Sequence, residues 1–340
     1  MNITELIGNV AILFVMMIPG IILKKCKMVN EAFGKGISNL VLYIAQPILI
    51  LCAYLDCSLG FFDIWKNLLA VFVLSLIAHG VFSLVAIFCF KKAPDSRQRM
   101  LRFATVFGNA AFMGIPLIQA LCGAEAAIYA SIYNITFNLF LWTLGVYFCI
   151  GDHEADHDED GDVDLVDGLI GIHKVSKKEL SLNRVLFHPV TLASAVGVIC
   201  LIFRFNRYLY PLGIAWDCLD MIRGLVAPLS MLVIGLRITD IQWKGSFSDR
   251  HMYCFLILRH LLLPLIVLAI MKGAVMAGFP IALPVQDVTV IMAATPAASS
   301  ATMFAEKYNC DTAYVSRLVM VSTVLCIFTM PFLIGLSHLF

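Results

Sequence analysis

Long apolar segments alternate with short polar stretches along almost the whole of this chain. Ten of the apolar segments are about 20 residues long, which is the length a helix needs to cross the hydrocarbon core of a membrane. The pattern therefore predicts ten membrane-spanning helices. They lie near 3–23, 36–56, 66–90, 101–121, 126–150, 187–206, 215–238, 253–272, 286–305 and 312–338.

Predicted spans four and nine are interrupted near their middle. Residues 107–116 read FGNAAFMGIP, and residues 293–300 read AATPAASS. We expect Gly108, Pro116 and Pro296 to break these helices, which leaves amide and carbonyl groups that lipid cannot satisfy. Such groups need a cavity, water or a bound solute. Paired interruptions in corresponding segments are typical of the binding site of a secondary transporter.

Composition excludes a soluble protein. Apolar residues make up 61% of the chain and charged residues 14%, and the mean hydropathy is +0.90. The 11 cysteines contain no CxxC pair and no spacing typical of metal ligands, so buried packing is the expected role of most of them. We expect no cofactor and no nucleic-acid partner.

The positive charges predict the orientation in the membrane. Of 24 Lys and Arg, 17 fall in loops on one side of the ten spans, four fall on the other side, and three lie within apolar segments. Since Lys and Arg collect on the cytoplasmic side, both termini are expected outside a plasma or inner membrane. The first six residues contain Glu5 and no Lys or Arg, so we expect no cleavable signal.

The chain divides into two halves of five predicted spans, 1–150 and 187–340, joined by a cytoplasmic loop at 151–186. An odd number of spans per half forces the second half to enter the membrane upside down. The loop is acidic first and basic later. Its residues 156–167 have the spacing of a calcium-binding loop, although a solvated acidic run meets such a pattern easily, and both interpretations stay open.

Amide side chains, and no carboxylates, lie near the middle of the predicted spans. Asn109 is in the first interruption, Gln46 precedes Pro47, and Asn134 and Asn138 share one helix face because they are four residues apart. Hydrogen bonds between helices would explain each of them. The alternative is contact with a substrate, which we expect most at the amides, Asn109 above all.

Two further polar residues are candidates for a proton or anion path. His79 in span three could carry protons near neutral pH, but a hydrogen-bonded packing role is the commoner one for a lone histidine. Arg259 lies about six residues into span eight. It could either extend to the cytoplasmic surface or attract an anion to the inner mouth.

The two interruptions also resemble a known family. Residues 108–118, GNAAFMGIPLI, and residues 304–309, FAEKYN, resemble the auxin efflux carrier family of plant auxin exporters and bacterial organic-acid carriers. The resemblance implies an all-α fold of ten helices in two inverted five-helix repeats, similar to bile-acid symporters and sodium/proton antiporters. It also implies a homodimer and elevator-type alternating access around crossed fourth and ninth helices.

By motif match, the resemblance implies that Asn109 and Pro116 belong to the first crossing helix and Pro296 to the second. Plant members have another proline shortly after the position of Pro296, where this chain has Ala301 or its neighbours. The central loop is short, as in bacterial members.

The expected function is export of a small organic anion, such as malate, a related acid or an auxin-like acid. Half-helix N-termini at a crossing suit a carboxylate, and an inside-negative potential favours anion efflux without a coupling ion. An ion-coupled symporter of the same general fold is the main alternative, and a channel or sensor module is another. A membrane enzyme is disfavoured because neither an H-E-x-x-H motif nor paired intramembrane acids occur.

Overall fold

A computed structural model describes Gly8 and residues 11–123, 125–150, 185–205, 213–239 and 249–339. This part of the chain is helical apart from its connections and one isolated β-bridge. Short π-helical turns are counted here within the helices they continue. The helices are α1 Ile18–Lys25, α2 Glu31–Asp56, α3 Phe61–Cys89, α4 Asp95–Val106, α5 Ala110–Cys122, α6 Ala126–Cys149, α7 Pro189–Ile202, α8 Ile214–Ile238, α9 Arg250–Met276, α10 Leu283–Ala294, α11 Ser300–Lys307 and α12 Thr312–Leu339.

Six of these helices (α2, α3, α6, α8, α9 and α12) are long and apolar enough to cross a membrane. The apolar helices α5, α7 and α10 are shorter. The ten-span arrangement, its inverted repeat and the division at 1–150 and 187–340 remain predictions. Segment 156–167, which has the spacing of a calcium-binding loop, and the first residues of the chain lie outside the described residues.

Three prolines within helices each follow a π-helical turn. Pro47, Pro116 and Pro264 are the second residues after the turns Val41–Ala45, Ala110–Gly114 and Leu258–Leu262. A proline has no amide proton and crowds the carbonyl four residues before it, and the wider turn lets the helix continue past it. Pro116, which we expected to break its helix, therefore lies inside α5, and the chain unwinds several residues earlier.

The helices pack as two groups. Helices α1, α2, α7 and α8 form the first group, in which α2 packs along α7 and α1 packs along α8. Gly20 and Gly235 allow the second contact, since a Cβ on Gly235 would overlap the carbonyl of Met17. The second group contains α3–α6 and α9–α12, with α10 packed against α6 and α12. The two unwound segments lie in this second group.

Candidate functional site

The two unwound segments meet and pair through their backbones. The first joins α4 to α5 at 107–109, and the second joins α10 to α11 at 295–299. Gly108 lies opposite Ala297 in an antiparallel bridge. The Asn109 amide donates to the Pro296 carbonyl at 2.7 Å, and the Ala298 amide donates to the Phe107 carbonyl at 2.9 Å. Each segment thereby satisfies backbone groups of the other, so that the interruptions form a single crossing.

A buried guanidinium holds the ends of α4 and α10 at this crossing. Arg259 Nη1 donates to the carbonyls of Thr105 and Val106 at 3.0 and 3.3 Å, and its Nε donates to the Thr295 carbonyl at 3.0 Å. Its Nη2 lies 3.3 Å from Thr295 Oγ1, and its cationic carbon lies 5.4 Å from the centre of the Phe82 ring. Arg259 is 1% exposed, so it does not extend to the membrane surface as one of our two interpretations supposed.

Gly108 leaves the space that this guanidinium occupies. A Cβ at Gly108 would overlap Arg259 Nη2 and the Thr295 hydroxyl. The requirement for glycine therefore comes from the close approach of a cation and not from an unusual backbone angle. Gly114 has a comparable role one turn into α5, where a Cβ would stand 2.6 Å from the Met292 sulfur of α10.

Side chains of the first helix group reach both sides of the crossing. Gln46 of α2 is fully buried, and its Nε2 donates to the carbonyl of Ala111 in the first turn of α5. Arg237 of α8 donates from Nη1 to the carbonyl of Ser299 at 3.2 Å, just before α11. Gln46 Oε1 is a buried acceptor without a hydrogen-bond partner among the described residues.

The three asparagines predicted as binding residues are buried, at 4% exposure or less, and of these Asn109 lies in an unwound segment whereas Asn134 and Asn138 lie within α6. Asn109 precedes α5 without capping it through its side chain. Asn138 Nδ2 donates to the backbone carbonyl of Asn134 at 2.9 Å, and Asn134 Nδ2 is buried without a partner in the described structure. Asn134 and Asn138 flank Phe137, whose ring contacts that of Phe107 edge-on at 5.7 Å.

His79 lies in an aromatic environment beside the crossing. Its ring packs near those of Tyr133, Phe137 and Phe140, with centroids 5.2, 5.9 and 5.3 Å away. Its Nδ1 lies 2.8 Å from the Ser75 carbonyl, and because a carbonyl only accepts, Nδ1 carries the proton. These contacts are those of a packing histidine. They contain no acidic partner.

Sequence reasoning missed the hydrogen bonds that secure the second segment. The Ala297 amide donates to Ser322 Oγ of α12 at 2.9 Å, and Ser322 Oγ lies 2.8 Å from His260 Nε2 of α9. His260 Nδ1 in turn lies 3.2 Å from Thr329 Oγ1. A serine in an apolar helix gives no local signal of such a contact, because the partner is 25 residues away in the chain.

A cavity of about 190 Å³ lies between the two helix groups, beside α11. Its charged lining residues are contributed by α1, α2, α8 and α11, on the side of the protein that we predict to be cytoplasmic. They are Lys24, Glu31, Lys35, Arg237 and Glu306.

Comparison with known proteins identifies the family of this chain. A family model described as a membrane transport protein matches residues 5–334, which is nearly the whole chain. The chain belongs to the membrane transport protein family. This is the family of the auxin efflux carriers, so the resemblance drawn from residues 108–118 and 304–309 is confirmed. A search of curated proteins finds no match.

Members of the membrane transport protein family are transporters and not enzymes. The long apolar helices and the family together identify a multi-pass membrane protein. Within the described ranges, no group of three or more His, Cys, Asp or Glu side chains is placed to hold a metal ion.

Proposed function

We propose that this family member exports a small organic anion with one or two carboxylates across a plasma or inner membrane. The observation that supports this most is the backbone pairing of residues 107–109 with residues 296–298 between four half-helices. Two apolar helices that only pack against each other do not need to unwind at the same point. A solute site at a helix crossing does require this unwinding, because it needs backbone groups and helix ends directed at the solute.

The helix ends at the crossing favour an anion. Helices α5 and α11 both begin there, at Ala110 and Ser300, and a helix N-terminus carries about half a positive charge. The amides of Asn109, Asn134 and Gln46 add donors and acceptors without a fixed charge. Asn134 Nδ2 and Gln46 Oε1 have no partner in the described structure, and a buried polar atom in that condition needs water or a solute.

Alternating access would come from sliding the group that contains the crossing past α1, α2, α7 and α8. Hydrogen bonds across that boundary include Gln46 to Ala111, Arg237 to Ser299 and Tyr54 to Ser131. Each joins one side chain to one backbone or hydroxyl group, and such bonds exchange at little net cost when the partners shift. In this proposal the first group also forms the homodimer.

No coupling ion is required by this mechanism. The acidic residues of the described spans lie at or near helix ends, as Asp56, Asp287 and Glu306 do, and not at the crossing. An inside-negative potential favours the exit of an anion by about 2.3 kcal/mol per charge per 100 mV. The membrane potential therefore favours export of an anion without a second ion gradient.

Counterflow in proteoliposomes tests the function. Purified protein would be reconstituted with unlabelled malate, benzoate or indole-3-acetate inside, and uptake of the same radiolabelled acid would be measured with and without sodium and a pH gradient. We expect saturable uptake of at least one acid that is unaffected by sodium. Uptake that depends strictly on sodium or on a proton gradient would favour the symporter, and conductance that does not saturate would favour a channel.

A further inference from the structure

Arg259 uses its hydrogen-bonding capacity on the backbone of the crossing. Four contacts join the guanidinium to Thr105, Val106 and Thr295, and three of them end on carbonyl oxygens. A guanidinium has five N–H donors, so little of this capacity remains for a solute. Among the described residues no carboxylate pairs with Arg259, although it is 1% exposed. A buried cation without an acidic partner needs another source of negative charge.

The negative charge comes from two helix C-termini. Thr105 and Val106 are the last residues of α4, and Thr295 directly follows α10. Each helix C-terminus carries about half a negative charge, so the two ends together are equivalent to about one unit, which the guanidinium offsets. The N-termini of α5 and α11 are left uncompensated, and they contribute about one positive unit at the same crossing.

We propose that Arg259 is the positioning and charge-setting residue of the crossing. It binds the two C-terminal half-helix ends to each other and cancels their negative potential, so that an anion meets only the two positive ends. The net charge of about one positive unit fits one carboxylate at a time. This inference rests on the proposed function for its anion, but the role of Arg259 at the helix ends does not.

Two substitutions of Arg259, one that keeps its positive charge and one that removes it, test the inference in a transport assay. Arg259→Lys keeps the positive charge and three donors, whereas Arg259→Gln keeps donors and loses the charge. For counterflow of the best acid in the panel, we expect Arg259→Gln to raise KM by about tenfold or more. Arg259→Lys should raise KM less, because its ammonium keeps the charge but not the planar set of donors that binds both helix ends. The matched control is Arg317→Gln, because Arg317 is another arginine within a helix, in α12, and its guanidinium lies over the Tyr314 ring 5.8 Å from the ring centre. Equal KM values for the Lys and Gln variants would overturn the charge-setting role.

Thermal unfolding in detergent tests the same residue without any transport. Arg259→Ala should melt at a lower temperature, and low millimolar guanidinium chloride should recover part of that loss while tetramethylammonium chloride at equal ionic strength does not. The unmodified protein and Arg317→Ala should not respond. A melting temperature of Arg259→Ala that is unchanged, or that both salts raise equally, would overturn the positioning role.

The transport and unfolding measurements distinguish failure of the proposed function from failure of the role of Arg259. If the unmodified protein moves no organic acid, the proposed function is wrong, while selective recovery by guanidinium still supports Arg259 as the cation of the crossing. If Arg259→Ala does not fold, Arg259→Lys decides the matter. It should remain folded, because its ammonium still offsets the two helix C-termini, and a Lys variant that also fails to fold would contradict a role based on charge.

Discussion

At the residue scale, the crossing depends on side chains that leave room as much as on those that make contacts. The guanidinium of Arg259 fits between two unwound segments because Gly108 has no side chain, and Thr295 supplies both a carbonyl and a hydroxyl. The sequence showed that Gly108 lies in an interruption. It could not show why, since the cation comes from a residue about 150 positions later in the chain.

Adding one methyl group at Gly108 should therefore disrupt the crossing. In Gly108→Ala the new Cβ overlaps Arg259 and Thr295, and overpacking of this kind costs about 1–3 kcal/mol. We expect a lower melting temperature in detergent and reduced counterflow. Gly80→Ala in α3 is the matched control, because a Cβ there meets nothing within 4 Å. A Gly108→Ala protein as stable and active as Gly80→Ala would contradict this account of the glycine.

Asn109 tests the substrate role of the amides. Its side chain does not cap α5, so removing the amide should cost little stability. If it binds a carboxylate, Asn109→Ala loses a hydrogen bond to a charged group, worth about 1.5–3 kcal/mol, and transport at low substrate concentration should fall by about tenfold or more. Asn67→Ala in α3, whose amide contacts the Tyr129 hydroxyl, is the control. Normal flux in Asn109→Ala would remove this residue from the site.

At the element scale, local composition was sufficient to locate where two helices unwind, but not how each is secured. Small residues and Pro296 predicted the second interruption, and α10 indeed ends at Ala294. The prediction that Pro116 breaks its helix was wrong, because a π-helical turn accommodates this proline within α5. The bonds from Gln46, Arg237 and Ser322 to the two segments join distant helices, and hydrophobic periodicity carries no information about such pairs.

The serine on α12 provides a test at this scale. Ser322→Ala removes the acceptor of the Ala297 amide and leaves a buried donor unsatisfied, which costs about 1–3 kcal/mol. Ser337→Ala on the same helix is matched, since among the described residues the Ser337 hydroxyl bonds only the Ile334 carbonyl of its own helix. We expect a lower melting temperature for Ser322→Ala alone. Equal shifts in the two variants would mean that the Ala297 amide finds another acceptor.

At the scale of the whole molecule, two features depend on different kinds of information. The membrane class and the family follow from composition and motifs, because apolar length and a specific string of residues are local properties. The grouping of α1, α2, α7 and α8 against the crossing group depends on contacts between the two halves of the chain, and only coordinates show these. The orientation in the membrane rests on charge alone and can be measured directly.

Cys26 reports that orientation. It is exposed and lies within the run of Lys24, Lys25 and Lys27, which the distribution of positive charge assigns to the cytoplasm. In a variant that retains Cys26 as its single cysteine, a membrane-impermeant maleimide should label inside-out vesicles and not intact cells. A single cysteine at Phe279, which is 67% exposed between α9 and α10, should show the opposite pattern.

One predicted span separates Cys26 from the N-terminus, and an odd number of predicted spans separates Phe279 from Cys26. Labelling of both cysteines from the same side would therefore exclude ten spans. Labelling of Cys26 from outside with Phe279→Cys labelled from inside would instead show the opposite orientation, with both termini in the cytoplasm, and would contradict the assignment from positive charge.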